Sequence, residues 1–258
     1  MEPDILFEDS DALVINKPAG LIVHEGKSNI KNQISKIRGE ANTAEHTLVD
    51  WILKKYPDIK DVGEVPALDA TRSTLHAPRP GIVHRLDRET SGAMVIAKNQ
   101  ETYLYLKRQF QDREVKKKYH AFVTGEMKSE RGTIDKPIGR SPRDFRQWSA
   151  GRGAKGELRD AVTWFRVVAR GKGCSFVEAQ PRTGRTHQIR AHFKAIGHPV
   201  IGDKLYAPKE ANALGFSRTA LHARSLAFKL RGGKEISVTA PYPPDFKKAM
   251  TELGVDAK

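Results

Sequence analysis

The densest group of chemically reactive residue types lies between positions 84 and 92, where the sequence reads His-Arg-Leu-Asp-Arg-Glu-Thr-Ser-Gly. Asp87 stands at the centre of this group, between Arg85 and Arg88. Cations within a few ångströms favour the ionised carboxylate, so Asp87 is suited to act as a nucleophile or a base. The same residues would also be found if Asp87 only formed a turn and paired with Arg85 or Arg88. The residue types leave both interpretations open.

A second reactive cluster lies at the start of a predicted helix and contains Arg182, Arg185, His187 and Arg190. The positive end of a helix adds to the charge of the arginines and favours a phosphate or a catalytic carboxylate. His187, Arg190 and Lys194 share one helical face, opposite to an apolar stripe. Simple exposure to solvent explains that face equally well.

A third candidate is the stretch 139–170, which holds seven Arg and one Lys against three acidic residues, with aromatic residues between them. Guanidinium groups pair with phosphates and aromatic rings stack on bases, so the loop 143–155 is predicted to bind nucleic acid. Its candidate contacts are Arg143, Arg146 and Arg152. Trp164 and Phe165 lie in a strand-like segment and are predicted to join the core.

The charge of the chain also points to an acidic partner. Its 258 residues include 45 Lys and Arg against 31 Asp and Glu, a formal net charge of +14. Residues 1–100 carry 13 basic and 15 acidic side chains, so the whole surplus lies in residues 101–258. Nucleic acid is the commonest partner for such a surplus, although a merely solvated basic surface has the same composition.

Composition excludes several classes of protein. No apolar run approaches the ~18 residues of a membrane span, and the acidic opening differs from a signal peptide. We therefore expect a soluble, cytoplasmic protein. We also expect it to act as a monomer. The single Cys174 excludes an internal disulfide and is predicted to be a core residue. No histidine pair has a zinc-protease spacing and no glycine-rich nucleotide motif is present, so we expect neither metal nor cofactor.

Apolar periodicity predicts the elements that must position these residues. The predicted strands lie at 5–7, 13–15, 93–97, 119–123, 162–168, 176–179, 220–226 and 236–240. Helices are predicted after the N-caps Thr47 and Asn99 and over 187–196, where Gly197 ends the last one. Strands outnumber helices without regular alternation, which favours an α+β fold.

The reactive clusters belong to an ordered series of motifs that resembles the RNA pseudouridine synthases, in particular the branch that modifies large-subunit ribosomal and transfer RNA. The signature of that branch is His-Arg-Leu-Asp followed by Thr-Ser-Gly, here residues 84–87 and 90–92. The other motifs are Asn16–Leu21, Lys118–Ala121, Gly184–Arg190, Gly197–Asp203 and Leu221–Ala223. The resemblance covers about residues 5–245, and six ordered motifs are far more specific than any one of them.

This resemblance implies that a uridine within RNA is isomerised: the glycosidic C–N bond breaks, the uracil turns while bound, and C5 joins C1′ of the ribose. Asp87 is then the catalytic carboxylate, and the sequence leaves open whether it adds to C1′, adds to the base or removes a ribose proton. Arg185 is expected to pair with Asp87 and keep it ionised. Tyr119 is expected to stack on the uracil and help to remove the C5 proton.

The resemblance also implies roles in substrate binding. Leu221 is expected beneath the base, and Arg85 is expected to hold the flipped nucleotide or fill the space it leaves. Lys17 is expected at the rim of the site or on an RNA phosphate. His187 and Arg190 are further expected substrate contacts. The residues expected only to support the loop are His84, Thr90 and Ser91.

The expected fold is one catalytic α+β domain over residues 1–258, with a central mixed, mainly antiparallel sheet split into two halves around an RNA-binding cleft and flanked by helices and loops. Many relatives carry a small N-terminal RNA-binding domain. The first motif begins here within twenty residues, so none is expected. Choice of the target uridine is then expected to rest on the 143–155 loop and on residues 25–46 and 66–80.

Ribosomal RNA, specifically 23S, is the favoured substrate because residues 137–140 and the long loop after them resemble the ribosomal members. Transfer RNA is the alternative substrate. A non-catalytic RNA-binding or ribosome-assembly factor on the same fold would lack Asp87, Tyr119 or Arg185, and all three are present. A carboxylate-dependent nuclease would need clustered acids for metal ions, which the sequence around Asp87 lacks.

Overall fold

The computed structural model describes residues 2–24, 46–64, 79–151, 153–208 and 213–256. Within them, strands and not helices make up most of the regular structure. The strands are β1 Asp4–Glu8, β2 Ala12–Lys17, β3 Ser91–Ala97, β4 Lys116–Thr124, β5 Arg131–Asp135, β6 Ile138–Arg140, β7 Trp148–Ala150, β8 Lys155–Arg159, β9 Val162–Gly171, β10 Cys174–Pro181, β11 Leu221–Lys229 and β12 Glu235–Thr239.

Nine of these strands form one mixed sheet in the order β1-β2-β3-β11-β4-β10-β9-β5, with β12 beside β11. The pairing of β3 with β11 is parallel, and the other pairings of this sheet in the described residues are antiparallel. The sheet therefore consists of two antiparallel halves that meet at β3 and β11. This confirms the predicted α+β class and its mixed, mainly antiparallel sheet.

A small second sheet, in the order β7-β6-β8, carries the basic segment 138–159. Its small buried cluster comprises Ile138, Ala161, Ala191 and Tyr206. Since Ala191 and Tyr206 come from the second reactive cluster and the chain after it, this sheet stands beside that part of the molecule.

Four α-helices lie in the described residues: α1 Leu48–Lys55, α2 Gln100–Gln111, α3 Gln188–Ala195 and α4 Pro244–Glu252. The predicted N-caps are confirmed, because Thr47 accepts the N–H of Asp50 and Asn99 accepts the N–H of Thr102. Helix α4 was not predicted; it begins at a proline, which the first turn of a helix tolerates because its N–H would have no partner within the helix.

Two large hydrophobic clusters fill the space around the main sheet. One lies around β2, β3, α1 and α2, and the other lies around β4, β10, α3 and α4. Tyr119 packs against both clusters. It therefore lies where the two hydrophobic clusters meet.

One core prediction was wrong. Phe165 packs against Phe193 with ring centroids 5.8 Å apart, but Trp164 is 44% exposed and carries the guanidinium of Arg182 at 4.4 Å from its ring centroid. Adjacent strand residues point to opposite faces, so only one of the two aromatic residues reaches the core. Cys174 is buried as predicted.

No helix among the described residues is long and apolar enough to cross a membrane. The two segments predicted to help choose the RNA, 25–46 and 66–80, lie almost entirely outside the described residues.

Candidate active site

A pocket of about 100 Å³ opens where the loop before β3 meets β4, the chain between β10 and α3, and the start of β11. These segments are far apart in sequence and bring most of the predicted site residues together. The predicted residues in its wall are Arg85, Asp87, Tyr119, Arg185, His187, Arg190 and Leu221.

The loop that carries Asp87 is fixed through three successive carbonyl groups. Thr90 donates its N–H to the Asp87 carbonyl at 3.1 Å. The Arg88 carbonyl accepts the N–H of Gly20 at 2.9 Å and the ammonium of Lys17 at 3.1 Å. Arg218 donates to the Glu89 carbonyl at 3.0 Å. The backbone around the carboxylate is therefore held from both halves of the chain.

Side chains on either side of Asp87 also anchor this loop. His84 stacks on Phe110 with ring centroids 4.5 Å apart, and its Nε2 accepts the N–H of Val95 at 3.0 Å. Burial lowers the pKa of His84 to about 3, so the ring stays a neutral acceptor at physiological pH. Ser91 is hydrogen-bonded to buried His222 at 2.9 Å. These contacts agree with the supporting roles expected for His84 and Ser91.

Two motif glycines are needed because backbones meet there. Gly92 has φ 116°, and a Cβ at this position would lie 2.3 Å from the Ala223 carbonyl oxygen where β3 meets β11. Gly202 has φ 72°, and a Cβ there would lie 1.9 Å from the Arg218 carbonyl oxygen. Any larger residue would push apart the segments that enclose the pocket.

Asp87 belongs to a chain of three charged side chains. Arg190 donates from Nη1 to Asp87 Oδ2 at 2.9 Å, and from Nε and Nη2 to the two oxygens of Asp203 at 2.5 and 2.9 Å. Asp203 is fully buried and also accepts the N–H groups of Leu205 and Tyr206. Burial opposes the charged form of Arg190, but Asp203 and then Asp87 outweigh it and raise its pKa. Arg190 therefore stays a cation that orients Asp87.

The expected ion pair between Arg185 and Asp87 is replaced in the structure by the pair with Arg190. Arg185 lines the pocket, but its Nε donates to the Asp160 carbonyl at 3.0 Å. It lies before α3, whereas Arg190 lies in the first turn of the helix and projects towards Asp87. Arg190 was expected to contact the substrate. In the structure its guanidinium instead makes three ionic hydrogen bonds, one to Asp87 and two to Asp203.

The turn before α3 explains why Arg190 points this way. Gln188 accepts from the hydroxyl of Thr183 at 2.7 Å and from the N–H of Arg185 at 3.0 Å, and it donates to the Val162 carbonyl at 3.0 Å. His187 adopts a left-handed backbone with φ 55° just before the helix. The motif thus fixes where the helix begins, and this start sets the direction in which the Arg190 side chain points.

His187 lines the pocket with Nε2 3.9 Å from Asp87 Oδ1. Its Nδ1 is hydrogen-bonded to the Tyr206 hydroxyl at 3.2 Å. Burial lowers the pKa of His187, and the opposing charge of Asp87 does not cancel this effect. The imidazole is therefore mainly neutral at physiological pH and suited to hydrogen bonding with a substrate.

Tyr119 and Leu221 supply ring and aliphatic surface to the pocket. They come from neighbouring strands, with Tyr119 paired to Ala223 and Leu221 paired to Ala121. Burial, together with the charge of Asp87, raises the pKa of Tyr119 above its ordinary value. A neutral phenol is a poor base, so these electrostatics favour the stacking role of Tyr119 over removal of a proton.

The predicted position of Lys17 was wrong. Its side chain is fully buried, and Nζ donates to the carbonyls of Pro18 and Leu21, each at 2.9 Å, as well as to Arg88. A residue with no exposed surface cannot bind an RNA phosphate. Lys17 instead ties the first motif to the loop that carries Asp87.

This burial gives a prediction for stability. Replacing Lys17 by Met takes the ammonium donor from the carbonyls of Pro18 and Leu21 and one of two donors from the Arg88 carbonyl, and we expect a loss of about 3 kcal/mol in the free energy of unfolding. Burial lowers the pKa of Lys17 to about 7 from 10.5. The unfolded chain therefore binds more protons than the folded chain between these values, so wild-type stability should rise from pH 7 towards pH 10.

Urea unfolding of wild type and Lys17→Met at several pH values measures both effects. The gap between the two proteins should widen as the pH rises. Lys116→Met serves as the control, because Lys116 is 77% exposed. Parallel pH profiles for wild type and Lys17→Met would contradict the titration of a buried lysine.

The remaining predicted residues lie at the surface. Arg85 is exposed at the pocket, with Nη1 3.4 Å from His24 Nε2. Arg143 and Arg146 are exposed between β6 and β7, and Arg146 pairs with Asp144 at 2.7 Å. Arg152 lies outside the described residues. The pocket and the basic loop are therefore distinct surfaces.

Sequence reasoning missed Asp203 and Lys117 as members of the site. Asp203 closes the motif Gly197–Asp203, so its presence in a motif was a signal that was not used. Lys117 lines the pocket beside Tyr119. Strand alternation from Tyr119 would have placed Lys117 on the same face.

The comparisons with known proteins agree with this fold. The family model described as RNA pseudouridylate synthase matches residues 11–195. An uncharacterized RNA pseudouridine synthase of Synechocystis is 37% identical over 251 residues, 97% of this chain and 68% of the relative. Ribosomal large subunit pseudouridine synthase D of Xanthomonas campestris is 36% identical over 266 residues, 98% of this chain and 70% of the relative.

Solved structures give the same result. Human RNA pseudouridylate synthase domain containing 1 has a TM-score of 0.69 at 26% identity, over 94% of this chain and 84% of the human chain. The fold and the matches define an RNA-modifying isomerase. The chain belongs to the RNA pseudouridine synthase family.

Proposed function

We propose that this protein converts specific uridines of large-subunit, 23S ribosomal RNA to pseudouridine, with Asp87 as the catalytic carboxylate. The observation that carries the role of Asp87 is its place in the pocket wall, ion-paired at 2.9 Å with Arg190, which is itself held by buried Asp203. The choice of ribosomal RNA is supported by relatives from Xanthomonas campestris and Zymomonas mobilis named ribosomal large subunit pseudouridine synthase D.

In this proposal the uridine is flipped out of its helix so that its base enters the pocket. Tyr119 stacks on the uracil, and Leu221 supports the base from the neighbouring strand. Asp87 faces the sugar or base while the glycosidic bond breaks and C5 joins C1′. Arg190 keeps the carboxylate ionised and oriented throughout.

Two arginines in the pocket wall, exposed Arg85 and half-buried Arg185, are proposed to bind the RNA chain. Arg85 holds the flipped nucleotide or fills the space that it leaves, and Arg185 contacts RNA at the mouth. His187 donates a hydrogen bond to the nucleotide or accepts one from it. Because the substrate sits between the two halves of the sheet, residues from across the chain act as one catalytic domain.

Transfer RNA is the second candidate substrate, supported by the resemblance of the motifs to a branch that includes transfer RNA enzymes. Chemical mapping of pseudouridines in total RNA from cells with and without the gene tests both. Loss of sites in 23S ribosomal RNA alone is the expected result. Loss confined to transfer RNA would overturn the proposed substrate, and an unchanged map would favour a non-catalytic RNA-binding factor.

The basic loop is proposed to grip RNA outside the pocket. Neutralising Arg143, Arg146 and Arg152 together should make the plot of log affinity against log salt concentration less steep by about 0.7 for each phosphate that the protein no longer neutralises. Arg146 is already paired with Asp144, so it should contribute less than Arg143 to this change in slope.

Filter-binding or fluorescence titrations at several salt concentrations measure this slope. Arg231→Gln is the control, because Arg231 lies on the β11–β12 turn and pairs with Glu101. A slope in the triple variant equal to wild type would place the RNA-binding surface elsewhere.

A further inference from the structure

Lys117 lines the pocket but has no part in the chemistry proposed so far. Strand β4 carries three consecutive lysines, and alternation along a strand places Lys117 on the face of Tyr119. Both side chains belong to the pocket wall. Lys116 and Lys118 point to the other face and lie 3.5 Å from Glu235 and 4.0 Å from Glu178. Of the three lysines, only Lys117 faces the site.

The ammonium of Lys117 has no hydrogen-bond acceptor among the described residues. Its Nζ lies over the ring of Phe110, 5.8 Å from the centroid. Lys117 is half-buried, and burial lowers its pKa. A partly desolvated ammonium without an acceptor in the protein is available to donate a hydrogen bond to a ligand in the pocket.

The other cations of the pocket have partners or lie further out. Arg190 is shared between Asp87 and Asp203. Arg85 is exposed, which suits a backbone phosphate. Lys117 lies two residues before Tyr119 on the same face of β4 and in the same pocket wall, on the strand that carries the ring on which the base is proposed to stack. Its position therefore favours a contact with the base over one with a phosphate.

We propose that Lys117 is a further catalytic residue, whose ammonium donates a hydrogen bond to a carbonyl oxygen of the flipped uracil and stabilises the negative charge that the base acquires. This inference rests on the proposed function, because it takes the Asp87 pocket as the active site.

The charge arises directly from the isomerisation. When the C1′–N1 bond breaks, its electron pair stays on the uracil and is spread over N1, O2 and O4. When the base has turned, the pair forms the C5–C1′ bond, the C5 proton leaves, and N1 gains a proton. No oxidant or co-reactant is needed. If Asp87 instead adds to the base, electrons also move towards a carbonyl oxygen, so a donor at that oxygen helps in either case.

Replacing Lys117 by Met should lower the rate constant of the chemical step by about 10²- to 10³-fold, as for loss of one preorganised donor to a developing oxyanion. RNA affinity should change by less than about threefold, and its salt slope should stay unchanged. The melting temperature should stay equal or rise, because the ammonium gives up no hydrogen bond among the described residues, Met can still pack on Phe110, and a half-buried charge is removed. A purely structural lysine would show a fall in melting temperature.

The experiment uses single-turnover formation of pseudouridine on purified 23S ribosomal RNA from cells lacking the gene. Lys117→Arg keeps the charge and should recover part of the rate, and Lys116→Met should match wild type. A wild-type rate in Lys117→Met overturns the proposal. The proposal is also overturned if Lys117→Met keeps the wild-type rate but has a lower RNA affinity and a flatter salt slope, because that result would indicate a contact with a phosphate. Asp87→Asn, measured beside these variants, tests the proposed function separately. If the Asp87→Asn variant forms pseudouridine, the Asp87 pocket is not the active site.

Discussion

Asp87→Asn should abolish pseudouridine formation, with a loss of about 10⁴-fold or more, the upper end of what one acid–base group contributes. The amide keeps the shape of the side chain but cannot carry negative charge, donate an electron pair as a carboxylate or remove a proton. The measurement is single-turnover conversion on 23S ribosomal RNA from cells that lack the gene.

The fold and RNA binding should survive this change. Arg190 keeps both of its hydrogen bonds to Asp203, and the loop is fixed through its carbonyl groups and not through the Asp87 carboxylate. We expect melting temperature and RNA affinity close to wild type. A fall in affinity that accounts for the lost conversion would argue for a binding role and against a catalytic one.

Glu89→Gln is the matched control for the Asp87 variant. It makes the same chemical change two residues along the same loop, but the Glu89 side chain is 45% exposed and lies 3.8 Å from Arg88. Its activity should stay within about threefold of wild type. Equal losses in both variants would mean that any charge change in this loop disturbs the site.

Arg190→Ala should cost both activity and stability. It leaves fully buried Asp203 without its cation, and breaking a buried ion pair in this way typically costs about 3–5 kcal/mol. It also frees Asp87 from the donor that orients it, so residual folded protein should be nearly inactive. Arg190→Lys should recover part of the stability but little of the rate, because one ammonium cannot make the forked contact to Asp203 and also reach Asp87.

Arg185→Ala is the comparison that separates the two arginines. Arg185 hydrogen-bonds a backbone carbonyl at the exposed edge of the pocket, so we expect a small loss of stability and a smaller loss of rate than for Arg190→Ala. Thermal unfolding and single-turnover rates of both variants decide the point. If Arg185→Ala is inactive while Arg190→Ala is active and stable, the ion pair between Arg185 and Asp87 that the motif alone implies is correct.

A double variant tests whether the stability loss has the stated cause. Asp203→Asn in the Arg190→Ala background removes the unpaired buried charge, so it should recover stability without recovering the rate. If stability is not recovered, the effect of Arg190→Ala comes from the missing packing against Tyr206, whose ring centroid lies 4.9 Å from the guanidinium.

Most of the main sheet could be predicted from the sequence, because alternation and capping are local patterns. The strands around 93–97 and 119–123 and the helices after Thr47 and Asn99 were found in this way. The small sheet of β6, β7 and β8 was missed because its strands are short, with little alternation. Its placement depends on contacts with the segment around α3.

The sequence alone determined the ordered motifs, the concentration of basic charge after residue 100, and Asp87 as the carboxylate to test. Those features are sets of residue types at fixed spacing, which folding does not change. Only the tertiary structure decided that Arg190 and not Arg185 pairs with Asp87, and that Lys17 is buried. An ion pair between residues 103 positions apart depends on where a helix begins and which way its first turn faces. Charge pairing is settled by distances of a few ångströms in the folded chain, and the order of residues does not contain those distances.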